Sequence, residues 1–97
     1  MFTSCETCKA LINDKAAYLV DVRTPPEFES SRLPGAINLP LQTLEQTVEQ
    51  HLAKDRPVIL FCRSGSRSQM AMQMLQQMGY PEVYNMGPYQ AWYQCED

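Results

Sequence analysis

The chain has 97 residues, of which 44% are hydrophobic and 20% are charged, and its formal net charge is -3. These values fit one globular domain over residues 1–97, and they argue against disorder and against nonspecific nucleic-acid binding, which needs a clustered basic surface. No stretch approaches the roughly 20 apolar residues of a membrane-spanning helix, and the first residues lack the pattern of a signal peptide. We therefore expect a soluble, cytoplasmic protein with no nucleic-acid or membrane partner.

The chain contains four cysteines and a single histidine. A disulfide framework would need a secreted context, which the sequence does not indicate, so no disulfide is expected. Cys5 and Cys8 form a C-x-x-C pair, but a structural zinc site normally adds a second pair or histidines, and His51 stands alone. We expect no metal ion and no cofactor, and a structural role for Cys5.

Strands and helices alternate along the first half of the chain. Thr3 and Glu6 have the spacing of a capping box, and the run 18–22 is apolar enough for a buried parallel strand. Pro25-Pro26 ends that strand, and Pro34-Gly35 marks a turn. The predicted elements are a helix from Thr3 to about Asn13, a strand over 18–22, a helical turn from Pro26 through Glu29 and a short strand over 36–39.

The second half repeats this alternation. Leu41, Leu44, Val48 and Leu52 recur at helical spacing, which predicts an amphipathic helix over about 41–53. The continuously apolar run 57–61 predicts a central strand that is covered on both faces. The remaining predicted elements are a helix with Met70, Ala71, Met74, Leu75 and Met78 on its core face, a strand over 82–85 and a terminal helix opened by Pro88.

This order predicts an α/β fold, with a small parallel β-sheet flanked by helices on both faces. In such a sheet ligands bind beyond the carboxyl ends of the strands, where the loop after Phe61 lies. Gly65 and its small polar neighbours let successive backbone N–H groups turn inward, which forms an anion-binding nest at the start of the next helix. The loop is the predicted functional site.

Cys62 lies at the mouth of this nest. A helix N-terminus and nearby arginines lower the pKa of a thiol, and the thiolate is its nucleophilic form. Such a thiolate can attack the outer sulfur of thiosulfate, and the same N–H groups then stabilise the resulting persulfide. The alternative is a buried structural cysteine at the end of a strand.

Several segments of the chain resemble, in order, the signature segments of the rhodanese family of sulfurtransferases. They are Asp21-Val22-Arg23, Glu27-Phe28, Leu33-Pro34-Gly35-Ala36-Ile37-Asn38-Leu39-Pro40, Cys62-Arg63-Ser64-Gly65-Ser66-Arg67-Ser68 and Asn85-Met86-Gly87, and the resemblance covers about residues 3–92.

The resemblance implies a rhodanese-like fold and a role for each matched residue. Cys62 would be the catalytic nucleophile that forms the persulfide. The substrate-binding loop would comprise Arg63, Ser64, Gly65, Ser66, Arg67 and Ser68, and a polar brace near the site would comprise Asp21, Arg23 and Glu27. The implied reaction moves sulfur from thiosulfate or another small anionic donor, or from a protein persulfide, to a thiol or cyanide acceptor.

Two other functions are weighed against this one. Cysteine-dependent phosphatases and arsenate reductases also carry a Cys and an Arg between a strand and a helix, but their loops are longer than the segment 63–66 that separates Cys62 from Arg67. Noncatalytic rhodanese-like modules bind a partner protein or sense a metabolite, and they commonly lack the loop cysteine that this chain keeps. Release of thiocyanate from cyanide after incubation with thiosulfate distinguishes turnover from binding.

Overall fold

The computed structural model describes residues 2–96. Its centre is a sheet of four parallel strands in the order β2-β1-β3-β4. The helices and strands are α1 (Cys5–Lys15), β1 (Tyr18–Asp21), α2 (Pro25–Ser30), β2 (Ile37–Asn38), α3 (Leu44–His51), β3 (Val58–Cys62), α4 (Ser66–Gln77) and β4 (Val83–Pro88), with 3-10 helices at Leu41–Thr43 and Tyr89–Gln94.

The run predicted as the central strand is β3, and all five of its residues are buried. Val58, Leu60 and Cys62 contribute to one core cluster together with residues of α3 and α4. Ile59 and Phe61 contribute to a second cluster, against which residues of α1 and of the terminal 3-10 helix pack. Successive residues of a strand face opposite sides of the sheet, so this division confirms the predicted α/β fold with helices on both faces.

The N-cap of α1 lies one residue later than the predicted capping box places it. The Thr3 backbone N–H donates a hydrogen bond of 2.7 Å to the carbonyl of Asn85 in β4. Ser4 is the N-cap instead, and its Oγ accepts a hydrogen bond of 3.2 Å from the N–H of Thr7. Thr3 is thus engaged with the sheet, which leaves the capping position to the next hydroxyl.

One of the methionines assigned to the core face of α4 lies on the surface. Met70 is 58% exposed, whereas Ala71 and Leu75 are fully buried. Ser68 occupies a buried position on the same face, because its hydroxyl finds a hydrogen-bond acceptor inside the loop. The buried stripe therefore runs through a polar residue, which the apolar pattern does not show.

The last helix of the described residues, Tyr89–Gln94, is a 3-10 helix rather than an α-helix. Pro88 is the N-cap of this helix, as predicted, and it is also the last residue of β4, where it lies beside Cys62 in the ladder. Trp92 of the 3-10 helix is partly buried against the second core cluster. No helix within residues 2–96 has the length and apolarity required to cross a bilayer.

The prediction that the chain has no disulfide is wrong. Cys5 at the start of α1 is bonded to Cys95, and their Cα atoms lie 6.0 Å apart. Packing of α1 against the terminal 3-10 helix brings these residues together across 90 positions of sequence, a separation at which spacing carries no signal. The C-x-x-C pair is thereby divided, since Cys8 is a buried free thiol.

Candidate functional site

Cys62 is the last residue of the central strand, and α4 begins four residues later at Ser66. Its side chain is fully buried beneath the loop 63–65. Gly65 is the N-cap of α4 and has a φ of 103°, a left-handed conformation that favours glycine. This residue turns the chain so that the loop closes over the sulfur atom.

The sulfur of Cys62 lies among hydrogen-bond donors. The Gly65 N–H donates to Sγ over 2.9 Å, and Oγ of Ser68 lies 3.5 Å from it. Burial acts to raise the pKa of the thiol, but hydrogen bonds from the Ser68 hydroxyl and from the backbone of Ser68, Gly65 and Ser64 outweigh it and lower the pKa below the ordinary value. The loop therefore favours the thiolate, as a nucleophile requires.

A second layer of hydrogen bonds holds the Gly65 peptide in place. Its carbonyl accepts from Ser68 Oγ at 3.1 Å and from Asn85 Nδ2 at 3.4 Å. Asn85 Oδ1 in turn accepts from the Gly87 N–H at 2.9 Å, next to a register shift between β3 and β4. Asn85 belongs to a segment that resembles the family signature, but it is not among the predicted site residues; a further signal is that it is a polar residue in an apolar strand, closely followed by a glycine.

Arg67 in the first turn of α4 pairs with Glu27 of α2. Its two terminal nitrogens reach the two carboxylate oxygens at 2.7 and 3.0 Å. Arg67, with further hydrogen bonds from Thr24, lowers the pKa of Glu27 to about 2. The same contact raises the pKa of Arg67, which also lies within electrostatic range of Cys62. The ion pair thus holds a positive charge near the sulfur.

The predicted brace of three residues is divided between two ion pairs. Asp21 and Arg23 are almost fully buried, and the Arg23 guanidinium reaches the Asp21 carboxylate at 2.8 to 3.0 Å. Arg23 also donates to the carbonyl of Ser31 and stacks over the ring of Tyr89. Glu27 belongs to the other pair. The Asp21 and Arg23 pair fixes the backbone at the end of β1, while Glu27 positions Arg67.

The remaining loop side chains are exposed. Ser64 and Ser66 approach each other at 3.3 Å between their Oγ atoms. Arg63 is exposed and, among residues 2–96, has no hydrogen-bond or ion-pair partner. The two loop arginines therefore differ, since one guanidinium is held by a carboxylate and the other is free to approach a ligand.

We expect the two free thiols to differ in reactivity although both are buried. Desolvation raises the pKa of Cys8 to about 11, whereas the pKa of Cys62 is lowered. Cys62 therefore has the larger thiolate population. Although a more acidic thiol is intrinsically less nucleophilic, Cys62 should react with iodoacetamide about tenfold faster or more than Cys8 at neutral pH. Peptide mapping by mass spectrometry measures both rates.

The same experiment gives the direction of the pH dependence. Alkylation of Cys62 should slow as the pH falls through its lowered pKa, because the thiolate is then protonated. The Glu27 carboxylate stays ionised throughout this range, so the profile reports the thiol. Equal alkylation rates for the two cysteines would contradict the expected activation.

Comparison with known proteins identifies relatives along nearly the whole chain. The family model for the rhodanese-like domain matches residues 4–95. Uncharacterized protein YqhL of Bacillus subtilis is 40% identical over 79 residues, which cover 80% of this chain and 62% of that protein. Thiosulfate sulfurtransferase GlpE of Vibrio cholerae is 37% identical over 88 residues, which cover 90% of this chain and 82% of that protein.

A solved structure agrees with these relatives. Human single-domain sulfurtransferase TSTD1 superposes with a TM-score of 0.79 at 26% identity, and the match covers 99% of this chain and 97% of that one. The parallel sheet, the loop after its central strand and the match over residues 4–95 agree with one another. The chain belongs to the rhodanese-like domain family.

Proposed function

We propose that the protein is a sulfurtransferase that carries sulfur as a persulfide on Cys62. The donor is thiosulfate or a persulfide, and the acceptor is a thiol or cyanide. The observation that carries the proposal is the environment of the Cys62 sulfur. This sulfur accepts a hydrogen bond from the Gly65 N–H, and the hydrogen bonds of the loop lower the pKa of the Cys62 thiol. Relatives named as sulfurtransferases support the general activity.

The first half of the reaction charges the cysteine. The Cys62 thiolate attacks the outer sulfur of thiosulfate, and a new S–S bond forms as the old one breaks. The electron pair of the broken bond leaves with sulfite, so no oxidant, reductant or protein base is needed. The product is a persulfide anion whose outer sulfur extends from Sγ into the loop, where the N–H groups that bind the thiolate can stabilise its charge.

The second half of the reaction transfers the outer sulfur of the persulfide to the acceptor. A thiolate or cyanide attacks the outer sulfur, the bond to Sγ breaks, and the electron pair returns to Cys62 as a thiolate. The same donors stabilise the negative charge of both the Cys62 thiolate and the persulfide anion, because the charge only moves between adjacent sulfur atoms. The Ser68 hydroxyl lies 3.5 Å from Sγ and 3.1 Å from the Gly65 carbonyl, so its single proton can move between these two acceptors as the charge shifts.

The loop arginines are proposed to attract the donor, since thiosulfate and sulfite are both dianions. Arg67→Ala should lower kcat/KM for thiosulfate by about tenfold, because it removes a charge held close to the sulfur. Arg63→Ala should have a smaller effect, about twofold to threefold, and should flatten the salt dependence, since Arg63 is an exposed charge. Steady-state kinetics at several salt concentrations measures both effects.

A matched control is available for these variants. Arg32 is an exposed arginine paired with Glu29 on α2, so Arg32→Ala removes one positive charge without touching the loop. It should leave the kinetics within about twofold of the wild type. Unchanged kinetics in both Arg63→Ala and Arg67→Ala would remove the arginines from the proposed donor site.

The proposed function is tested by cyanolysis. The protein is incubated with thiosulfate, freed of excess donor and analysed by mass spectrometry for one added sulfur on Cys62; cyanide is then added and thiocyanate is measured. Cys8→Ser is the control, because it removes the other free thiol. Absence of both the adduct and thiocyanate would favour a noncatalytic binding module.

The Cys5–Cys95 disulfide fits an oxidising compartment better than the cytoplasm, so the redox state of this pair in cells tests the location.

A further inference from the structure

Phe2 lies against the loop that surrounds the reactive sulfur. A methyl group added at Gly87 would come within 2.6 Å of two atoms of the Phe2 ring, and one added at Gly65 would come within 2.7 Å of ring atom Cε1. Such separations are shorter than real side-chain contacts. The ring therefore occupies the space that side chains at Gly65 and Gly87 would fill, and these glycines allow it to approach the backbone.

The segment that carries Phe2 is fastened to the rest of the molecule. The next residue, Thr3, donates its backbone N–H to the carbonyl of Asn85 over 2.7 Å. Ser4 caps α1, and Cys5 is bonded to Cys95. Phe2 itself is 49% exposed, so a large apolar side chain is held at the surface by its attachment and by the two glycines.

Gly65 connects this ring to the chemistry. Its N–H donates to the Cys62 sulfur, and its carbonyl is held by the hydroxyl of Ser68 and the amide of Asn85. Asn85 is also the residue to which the Phe2 segment is anchored and which accepts from the Gly87 N–H. The Phe2 ring, Asn85 and the loop 63–65 are thus connected through the peptide of Gly65.

We propose that Phe2 is a positioning residue that holds the Gly65 N–H directed at the sulfur of Cys62. The inference deepens the proposed sulfurtransferase function and, for its kinetic part, depends on it. Without the ring, Gly65 gains the freedom that a glycine has at positive φ, and its N–H leaves the sulfur for part of the time. The thiolate and the persulfide anion both lose a donor.

The test compares Phe2→Ala and Phe2→Leu with Tyr93→Ala. Tyr93 is another exposed aromatic residue, at 66% exposure, and serves as the control. The first readout is the pKa of Cys62, taken from the pH dependence of its alkylation. The second is the rate of sulfur transfer from thiosulfate, separated into kcat and KM. Circular dichroism and urea unfolding establish that each variant is folded.

Phe2→Ala should raise the pKa of Cys62 and lower kcat by about tenfold with little change in KM, since small displacements of a catalytic group cost rates of this order. Phe2→Leu, which keeps part of the apolar contact, should lie between Phe2→Ala and the wild type, and Tyr93→Ala should match the wild type. If both Phe2 variants keep the wild-type Cys62 pKa, the proposal is overturned, even if stability falls. The alkylation readout needs no sulfur transfer, so it decides the role of Phe2 even if the proposed function fails.

Discussion

Cys62→Ser should abolish sulfur transfer while leaving the fold intact. A hydroxyl without a general base is a far weaker nucleophile than a thiolate, and we expect thiocyanate release to fall on the order of a thousandfold or more. The serine oxygen nearly matches the sulfur in position and can still accept the Gly65 N–H, so the loop should remain closed. Steady-state thiocyanate release and urea unfolding measure the two effects.

The remaining cysteines are poor substitutes for Cys62. Cys8 is buried with its pKa raised to about 11, and Cys5 is held in a disulfide. Residual activity above about a tenth of the wild type would therefore contradict the assignment of Cys62 as the nucleophile. The Cys8→Ser variant should behave as the wild type and excludes a general effect of removing a thiol.

Among the substitutions proposed, Asp21→Ala should lower the free energy of unfolding most. It leaves the Arg23 guanidinium, 3% exposed, without its carboxylate partner, and a buried unpaired charge typically costs about 3–5 kcal/mol. This is a large part of the 5–15 kcal/mol by which small domains are stable. We expect the midpoint of urea unfolding to fall accordingly, with the slope of the transition little changed.

An exposed ion pair provides the comparison. Glu29→Ala breaks the pair with Arg32, whose side chains are 71% and 52% exposed, and should change stability by no more than about 1 kcal/mol. The double variant Asp21→Ala/Arg23→Ala should lose less than the sum of the two single losses, because it leaves no unpaired charge. A loss below about 1 kcal/mol in Asp21→Ala would show that Arg23 finds other compensation.

The sequence predicts the central strand because that strand is buried on both faces. The run that forms Val58–Cys62 is apolar without interruption, and such a run is stable only when both faces are covered. The helices are predicted less well wherever a polar residue is satisfied inside the protein. Ser68 takes a core position through its bond to Gly65, and this shifts the buried stripe of α4 away from Met70.

The candidate site likewise contains some residues that the sequence predicts and others that it does not. Cys62 and its loop are local in sequence, so the order of small, polar and basic residues after a strand suffices to identify them. The contributions of Asn85 and Phe2 depend on a strand and a terminal segment that meet the loop only in the folded chain. The pairing of Arg67 with Glu27, across 40 positions, is likewise a property of the packing.

The Cys5–Cys95 bond also changes what a single break in the backbone can do. The bond joins α1 to the segment after the last helix, so nearly the whole chain lies within one covalent ring. A protease that cuts once at an exposed turn, such as the one at Pro34-Gly35, opens the ring but does not release either fragment. The two pieces stay together at an effective concentration far above that of separate chains, and they separate only when the bond is reduced.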